Sequence, residues 1–177
     1  MDCSIIALRQ KGLFMISTTD FFYPLVTDPY VQGMIGCCNV LSDLYAMGVP
    51  DCDTMLMLLA ASTQMQEEER LIVTRRMIEG FNAKATEAGT VVSGGQTVKN
   101  PWPIIGGTAT AVCSEEEFIR PEHVVPGDVY WCSPNRSERS WPSTCTSGCH
   151  ALRSGRRSST SSPRRRLCGP SLWPWLP

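Results

Sequence analysis

The chain has 177 residues, 42% of them hydrophobic, and nine Cys. That length suits one domain of ordinary size, and no run reaches the roughly 18 apolar residues that a membrane span requires. The formal net charge of −1 joins two opposed segments, since residues 1–128 hold 8 Lys+Arg against 16 Asp+Glu while residues 129–177 hold 8 Arg against Glu138 alone. The near-neutral total therefore says nothing of partners.

The opening "MDCSIIALRQKGLFM" has an Asp at once and no basic start before its apolar run, so it does not read as a secretory signal and points to a cytoplasmic protein. "GLFMISTTDFF" is an apolar β-rich run with an acidic tip, a strand ending at Thr18, Thr19 and Asp20. "PLVTDPY" is a loop. Asp28 is the expected N-cap and Pro29 the first residue of a helix reaching about Met47, with Gly48 as its stop. That helix is apolar around most of its circumference, yet Asn39 and Asp43 share one face. A buried carboxylate is costly without a partner, and Asn39 is the neighbour placed to steady Asp43. "CDTMLMLLAAS" reads as a buried strand. The next helix starts near Gln66, with Glu67, Glu68 and Glu69 at the positive end of its dipole. Thr74, Met77, Ile78, Phe81 and Ala85 form its buried stripe, and Gly89 ends it. "TVVSGGQTV" is a strand leading into a Gly turn, "PIIGGTATAVC" a further strand, and "EFIRPEHVVPGDV" brings the chain to the edge of another. This alternation predicts an α+β fold, an α/β sandwich with helices packed on one face of a sheet.

From Tyr130 the composition changes. No Ile, Val, Met, Phe or Lys occurs in residues 130–177, which are rich in Ser, Arg and Pro and hold four of the five Trp. Without usable periodicity this tail is expected to be disordered. Its Arg runs would suit RNA, but such runs are usually solvated, so nucleic acid is not the expected partner. Read from the last base of the Val129 codon, Tyr130–Cys149 permits "VLVLTKPLGTQLAVNLHQWM", a normal strand, loop and amphipathic helix. A change of reading frame near Val129 is therefore expected. Nine Cys without repeated C-x-x-C pairs read as reduced thiols. Cys145 and Cys149 alone have near-ligand spacing, which does not make a zinc site.

The polar residues left over are Asp2, Asp20 and Asp43, at element ends or on an interior face, and Gly94, Gly95, Gln96 and Thr97. Carboxylates that converge without basic partners suit a hard cation such as Mg²⁺. A Gly-Gly turn lets backbone N–H groups approach a phosphate. No P-loop and no dinucleotide fingerprint is present. On spacing alone, caps and a plain turn explain the same residues.

The stretches "STTDFFYPLVTDPYVQGMIGCCNVLSDLYAMGV", "CDTMLMLLAAS", "GTVVSGGQTVKNPWPIIGGTATAVC" and "EFIRPEHVVPGDV" resemble the N-terminal domain of selenophosphate synthetase (selenide, water dikinase), closest to the animal type. The resemblance covers residues 1–129, and the shifted-frame string is similar to the family's next segment. It implies a fold like that of aminoimidazole ribonucleotide synthetase, with N-terminal domains paired into a β-barrel dimer. It implies an enzyme that converts selenide and ATP to selenophosphate, AMP and phosphate. It also implies that Asp2 and Asp43 hold Mg²⁺, and that Asp2, Asp20, Asp43 and Gly94, Gly95, Gln96 and Thr97 bind ATP. The family's nucleophile and its Lys belong upstream of the motif ending at Asp2, and a further metal aspartate belongs to a second domain. No catalytic residue is therefore assigned within 1–177, and Cys3 is not a substitute. Three readings stay open: a fragment of the kinase contributing Mg-ATP residues, an inactive homodimer or heterodimer partner of the full-length enzyme, or an unproductive frameshifted product.

Overall fold

The computed structural model describes residues 2–126, 129–132 and 149–152. In chain order the elements are β1 (Ser4–Ala7), β2 (Leu13–Phe22), α1 (Pro29–Ala46), β3 (Thr54–Ser62), α2 (Glu67–Glu87), β4 (Val92–Asn100) and β5 (Ile104–Ser114), then β6 (Val129–Cys132) and β7 (Cys149–Leu152). The first five strands make one sheet in the order β1-β2-β5-β3-β4. Its neighbours are antiparallel except β3 and β4, which are parallel. Parallel neighbours need a crossover, and α2 supplies it. This is the expected α+β sandwich, with both helices on one face.

Local chemistry starts and stops the helices. The Asp28 carboxylate accepts from the Tyr30 and Val31 N–H groups at 2.8 and 3.3 Å, and Pro29 follows it as the first helical residue. Both helices end at the expected glycines, Gly48 and Gly89, each at φ +76°. Asp28→Ala should lower stability by about 1 kcal/mol, measured by urea unfolding. An unchanged midpoint would show that α1 does not depend on this cap.

The core lies between helices and sheet. Ile16, Val40, Leu44, Met55, Met77, Phe81 and Ile105 are essentially without solvent contact. Cys3, Cys37, Cys52 and Cys113 are buried free thiols and Cys38 is half-buried, as expected for reduced cysteines. No described helix is long and apolar enough to cross a membrane.

Four expectations need correction. The buried stripe of α2 is Met77, Gly80, Phe81 and Ala85; Ile78 is 40% exposed, because α1 covers the Gly80 side instead. β3 is not buried throughout, since Leu56 points to the uncovered sheet face and is 42% exposed. β1 was not foreseen; it is four residues long and mostly exposed, so it carries little hydrophobic signal. Finally, Gly94–Thr97 is not a turn but lies within β4, an edge strand. Pairing with β3 slips by one residue between Met55 and Leu56, a bulge that precedes the glycines.

The outer face of the sheet has no helix over it. Ile6, Val112, Leu56, Phe21 and Val98 are exposed there, among hydroxyls paired across strands: Ser17 with Thr110 at 3.2 Å and Thr19 with Thr108 at 2.9 Å. Of the segment after Val129, the described parts are β6 and β7, which pair with each other. The expected disorder of the tail and its Cys145–Cys149 spacing otherwise lie outside the described residues.

Candidate functional site

An open depression of about 580 Å³ lies where β2 passes the start of β1 and the last turns of α1. Asp2, Cys3, Ser17, Thr18, Thr19, Asp20 and Asp43 line it. Strand alternation puts Ile16, Thr18 and Asp20 on the helix side of β2. Four residues of helix advance about 6 Å, and two residues of strand nearly the same distance. Asn39 and Asp43 on α1 therefore match Asp20 and Thr18 on β2.

The two contacts are specific. The Thr18 hydroxyl donates to Asp43 Oδ2 at 2.6 Å, and Asn39 Nδ2 donates to Asp20 Oδ2 at 2.9 Å. Asn39 thus steadies Asp20 and not Asp43, contrary to the sequence expectation. Thr18 does that for Asp43, and strand parity with Asp20 was the signal that would have found it. Among the described residues no Lys or Arg forms an ion pair with any of the three aspartates.

The electrostatics follow from this crowding. Burial raises the Asp43 pKa above its ordinary value; the Thr18 hydroxyl opposes the rise, and the Asp20 and Asp2 charges add to it. Cys3 is pushed up to about 12, first by burial and then by the Asp43, Asp2 and Asp20 charges. Burial and the neighbouring carboxylates thus disfavour the thiolate of Cys3.

Among the described residues no three His, Cys, Asp or Glu side chains are grouped so as to hold a metal ion by themselves. Asp2 and Asp43 supply carboxylates to one pocket, and among the described residues no Lys or Arg pairs with either. Mg²⁺ commonly takes one or two carboxylates, with phosphate oxygens and water as its remaining ligands. The donor set fits a cation that arrives with a phosphate and does not form a closed protein cage.

Gly94, Gly95, Gln96 and Thr97 are not brought to this pocket. They lie in exposed β4, with β5 and β3 between it and β2, on the order of 14 Å away at the usual strand spacing. Gly95 sits at φ +148°, where an added Cβ would run into the Met57 backbone. The glycine there serves a close strand-to-strand approach.

Residues 1–113 match the family model described as AIR synthase related protein, N-terminal domain. The chain is 60% identical over 135 residues to selenide, water dikinase of Leishmania major, covering 73% of this chain and 34% of that protein. It is 61% identical over 129 residues to selenide, water dikinase 2 of Homo sapiens, covering 73% of this chain and 29% of that protein. The chain therefore spans about a third of the length of these curated relatives. Among solved structures, PurL of T. maritima complexed with ADP is similar with a TM-score of 0.59 and 17% identity, covering 73% of this chain and 21% of that one. At that identity the likeness concerns the fold.

Proposed function

The chain belongs to the AIR synthase related family, whose N-terminal domain it carries, and from that premise we propose that it contributes Mg-ATP-binding residues to a selenide, water dikinase. The carrying observation is that Asp2, Asp20 and Asp43 line one pocket and none of them has a cationic partner among the described residues. In this reading Asp2 and Asp43 hold Mg²⁺, and Asp20, fixed by Asn39, borders the nucleotide. The metal would offset the negative charge that develops on phosphates during phosphoryl transfer. Thr18 sets the orientation of the Asp43 carboxylate, so the ligand oxygen is positioned before the cation arrives. Full conversion of selenide and ATP to selenophosphate, AMP and phosphate belongs to the whole enzyme.

A second reading concerns the partner. We place Gly94–Thr97 in the nucleotide site of another copy, since their own pocket lies across the sheet. The uncovered outer face, with Ile6, Leu56, Phe21 and Val112 exposed, is the surface through which two sheets would close. A homodimer, or a heterodimer with the full-length enzyme, would then bring each β4 to the partner's aspartates. The composition change after Val129 is carried as a change of frame, which the transcript sequence tests.

Calorimetric titration of the full chain with ATP tests the site. Binding is expected with Mg²⁺, and loss of it in EDTA. Equal affinity without the metal would reject the carboxylates as its holders. Sedimentation of the same sample should give a dimer; Mg-ATP binding by a strict monomer would remove Gly94–Thr97 of a second copy from the site.

A further inference from the structure

We infer that a row of hydroxyls across the uncovered face of the sheet sets the register in which two copies of this chain pair, an inference that rests on the pairing of copies through that face. Ser4 stands opposite Ser17, Ser17 opposite Thr110, and Thr110 opposite Thr54. The Thr54 hydroxyl is in turn hydrogen-bonded to that of Ser93 at 2.5 Å. Each of the five strands, in the order β1-β2-β5-β3-β4, thus places one hydroxyl in a single line across the sheet. The line begins in the pocket, which Ser4 and Ser17 help to line. It ends at Ser93, the residue before Gly94.

The row runs through apolar surroundings. Ile6, Met15 and Val112 stand side by side on one flank, and Leu56 and Phe21 are exposed on the other. A hydroxyl has one donor and two acceptor sites, and the pairs Ser17–Thr110 and Thr54–Ser93 use only part of them. Burying the rest against Val112 or Leu56 of a second sheet leaves polar groups unsatisfied, which is costly. Laying row on row avoids that cost. Ser and Thr are too short to meet across the roughly 10 Å between packed sheets, so water bridges the two rows.

Two twofold axes lay the row on itself. An axis along the row sets every strand over its own counterpart and turns Val112 onto Thr108. An axis along β5, the central strand, sets Val112 against Val112 and keeps apolar surface together. That second closure also places β4 over β1 of the other copy, because the two are the opposite edges of the sheet. It is therefore the closure that carries Gly94–Thr97 to the other copy's aspartates.

The test reads register with a thiol-specific crosslinker of roughly 10 Å span, the sheet separation. It is applied to the full chain carrying Ser4→Cys and Ser93→Cys, and mass spectrometry identifies the joined peptides. Within one copy these positions stand four strand spacings apart, about 19 Å, so a link between them joins two copies. That link is the expected result. Adding Thr54→Val and Thr110→Val should leave the chain dimeric in sedimentation but cut the link about tenfold, whereas Thr54→Ser and Thr110→Ser should keep it. Unchanged linkage in the valine variant would overturn the inference. So would loss of all association there, which would make the hydroxyls a general adhesive. Links of position 4 to position 4 would overturn it by showing the other closure. A strictly monomeric chain would remove the inference and the pairing together, leaving the aspartate pocket to the ATP titration. The expected link without Mg-ATP binding by the unaltered chain would uphold the register and remove the nucleotide reading.

Discussion

Gly80→Ala is expected to cost at least about 3 kcal/mol, the upper end of what overpacking does, and a large share of the roughly 5–15 kcal/mol that holds a domain folded. A Cβ at Gly80 would fall on the Tyr30 carbonyl oxygen, with the Met34 amide nitrogen at 3.2 Å. A Cβ at Gly33 would fall on the Met77 carbonyl, with the Phe81 amide nitrogen at 2.8 Å. These obstacles are backbone atoms of the opposite helix, so no rotamer change relieves them and the helices must separate. Separation would open Cys37, Val40, Met77 and Phe81 to solvent. It would also move Asn39 and Asp43 away from β2. Urea unfolding of Gly80→Ala and Gly33→Ala measures the effect, with exposed Glu79→Ala as a control expected to stay within about 0.5 kcal/mol. A Gly80→Ala midpoint equal to that of the control would mean that the helices do not cross this closely.

Asp43→Asn should abolish Mg²⁺-dependent ATP binding while making the ligand-free chain more stable at neutral pH. Burial first, then Asp20 and Asp2, hold the folded pKa of Asp43 above its ordinary value. An unfolded Asp titrates near about 3.9. Below that pH both states are protonated and the carboxyl carries no penalty. As pH rises through the raised folded pKa, the group must ionise in an unfavourable setting and stability is lost. Asn has no charge to lose yet still accepts the Thr18 hydroxyl. The two chains should therefore melt alike in acid and diverge above it, with the variant ahead at pH 7. Mg-ATP reverses that order, because a ligand stabilises only the chain that binds it. Melting curves across pH, with and without Mg-ATP, measure both halves. A variant stabilised by Mg-ATP as strongly as the unaltered chain would remove Asp43 from the site.

Much of the architecture was legible because it rests on local chemistry. Asp28-Pro29 opens α1, Gly48 and Gly89 close the helices, and the runs 12–22, 52–62 and 103–113 became the strands Leu13–Phe22, Thr54–Ser62 and Ile104–Ser114. Errors arose where packing decides. Ile78 has the right helical spacing to be buried, but the close crossing at Gly33 and Gly80 rotates a different face inward. "SGGQT" has turn composition, yet the α2 crossover lays it beside β3, where Gly95 is required by the nearness of Met57. β1 was missed because a short exposed edge strand leaves almost no period.

The candidate site divides in the same way. Its acids were visible one by one as Asp2, Asp20 and Asp43, since carboxylates among apolar neighbours demand a reason. Their partners were not visible. Asn39 and Asp43 are equivalent by helical spacing, and only the direction in which α1 runs over β2 gives Asp20 to Asn39 and Thr18 to Asp43. Sequence by itself determined the fold class, the ends of the helices and which acids stand as candidates for the site, because those follow from residues near in the chain. Tertiary structure alone decided which side chains meet, that Gly94–Thr97 stand across the sheet from the acids, and that Ser4, Ser17, Thr110, Thr54 and Ser93 fall in one line. Strand order joins residues far apart in sequence, and no local pattern records that order.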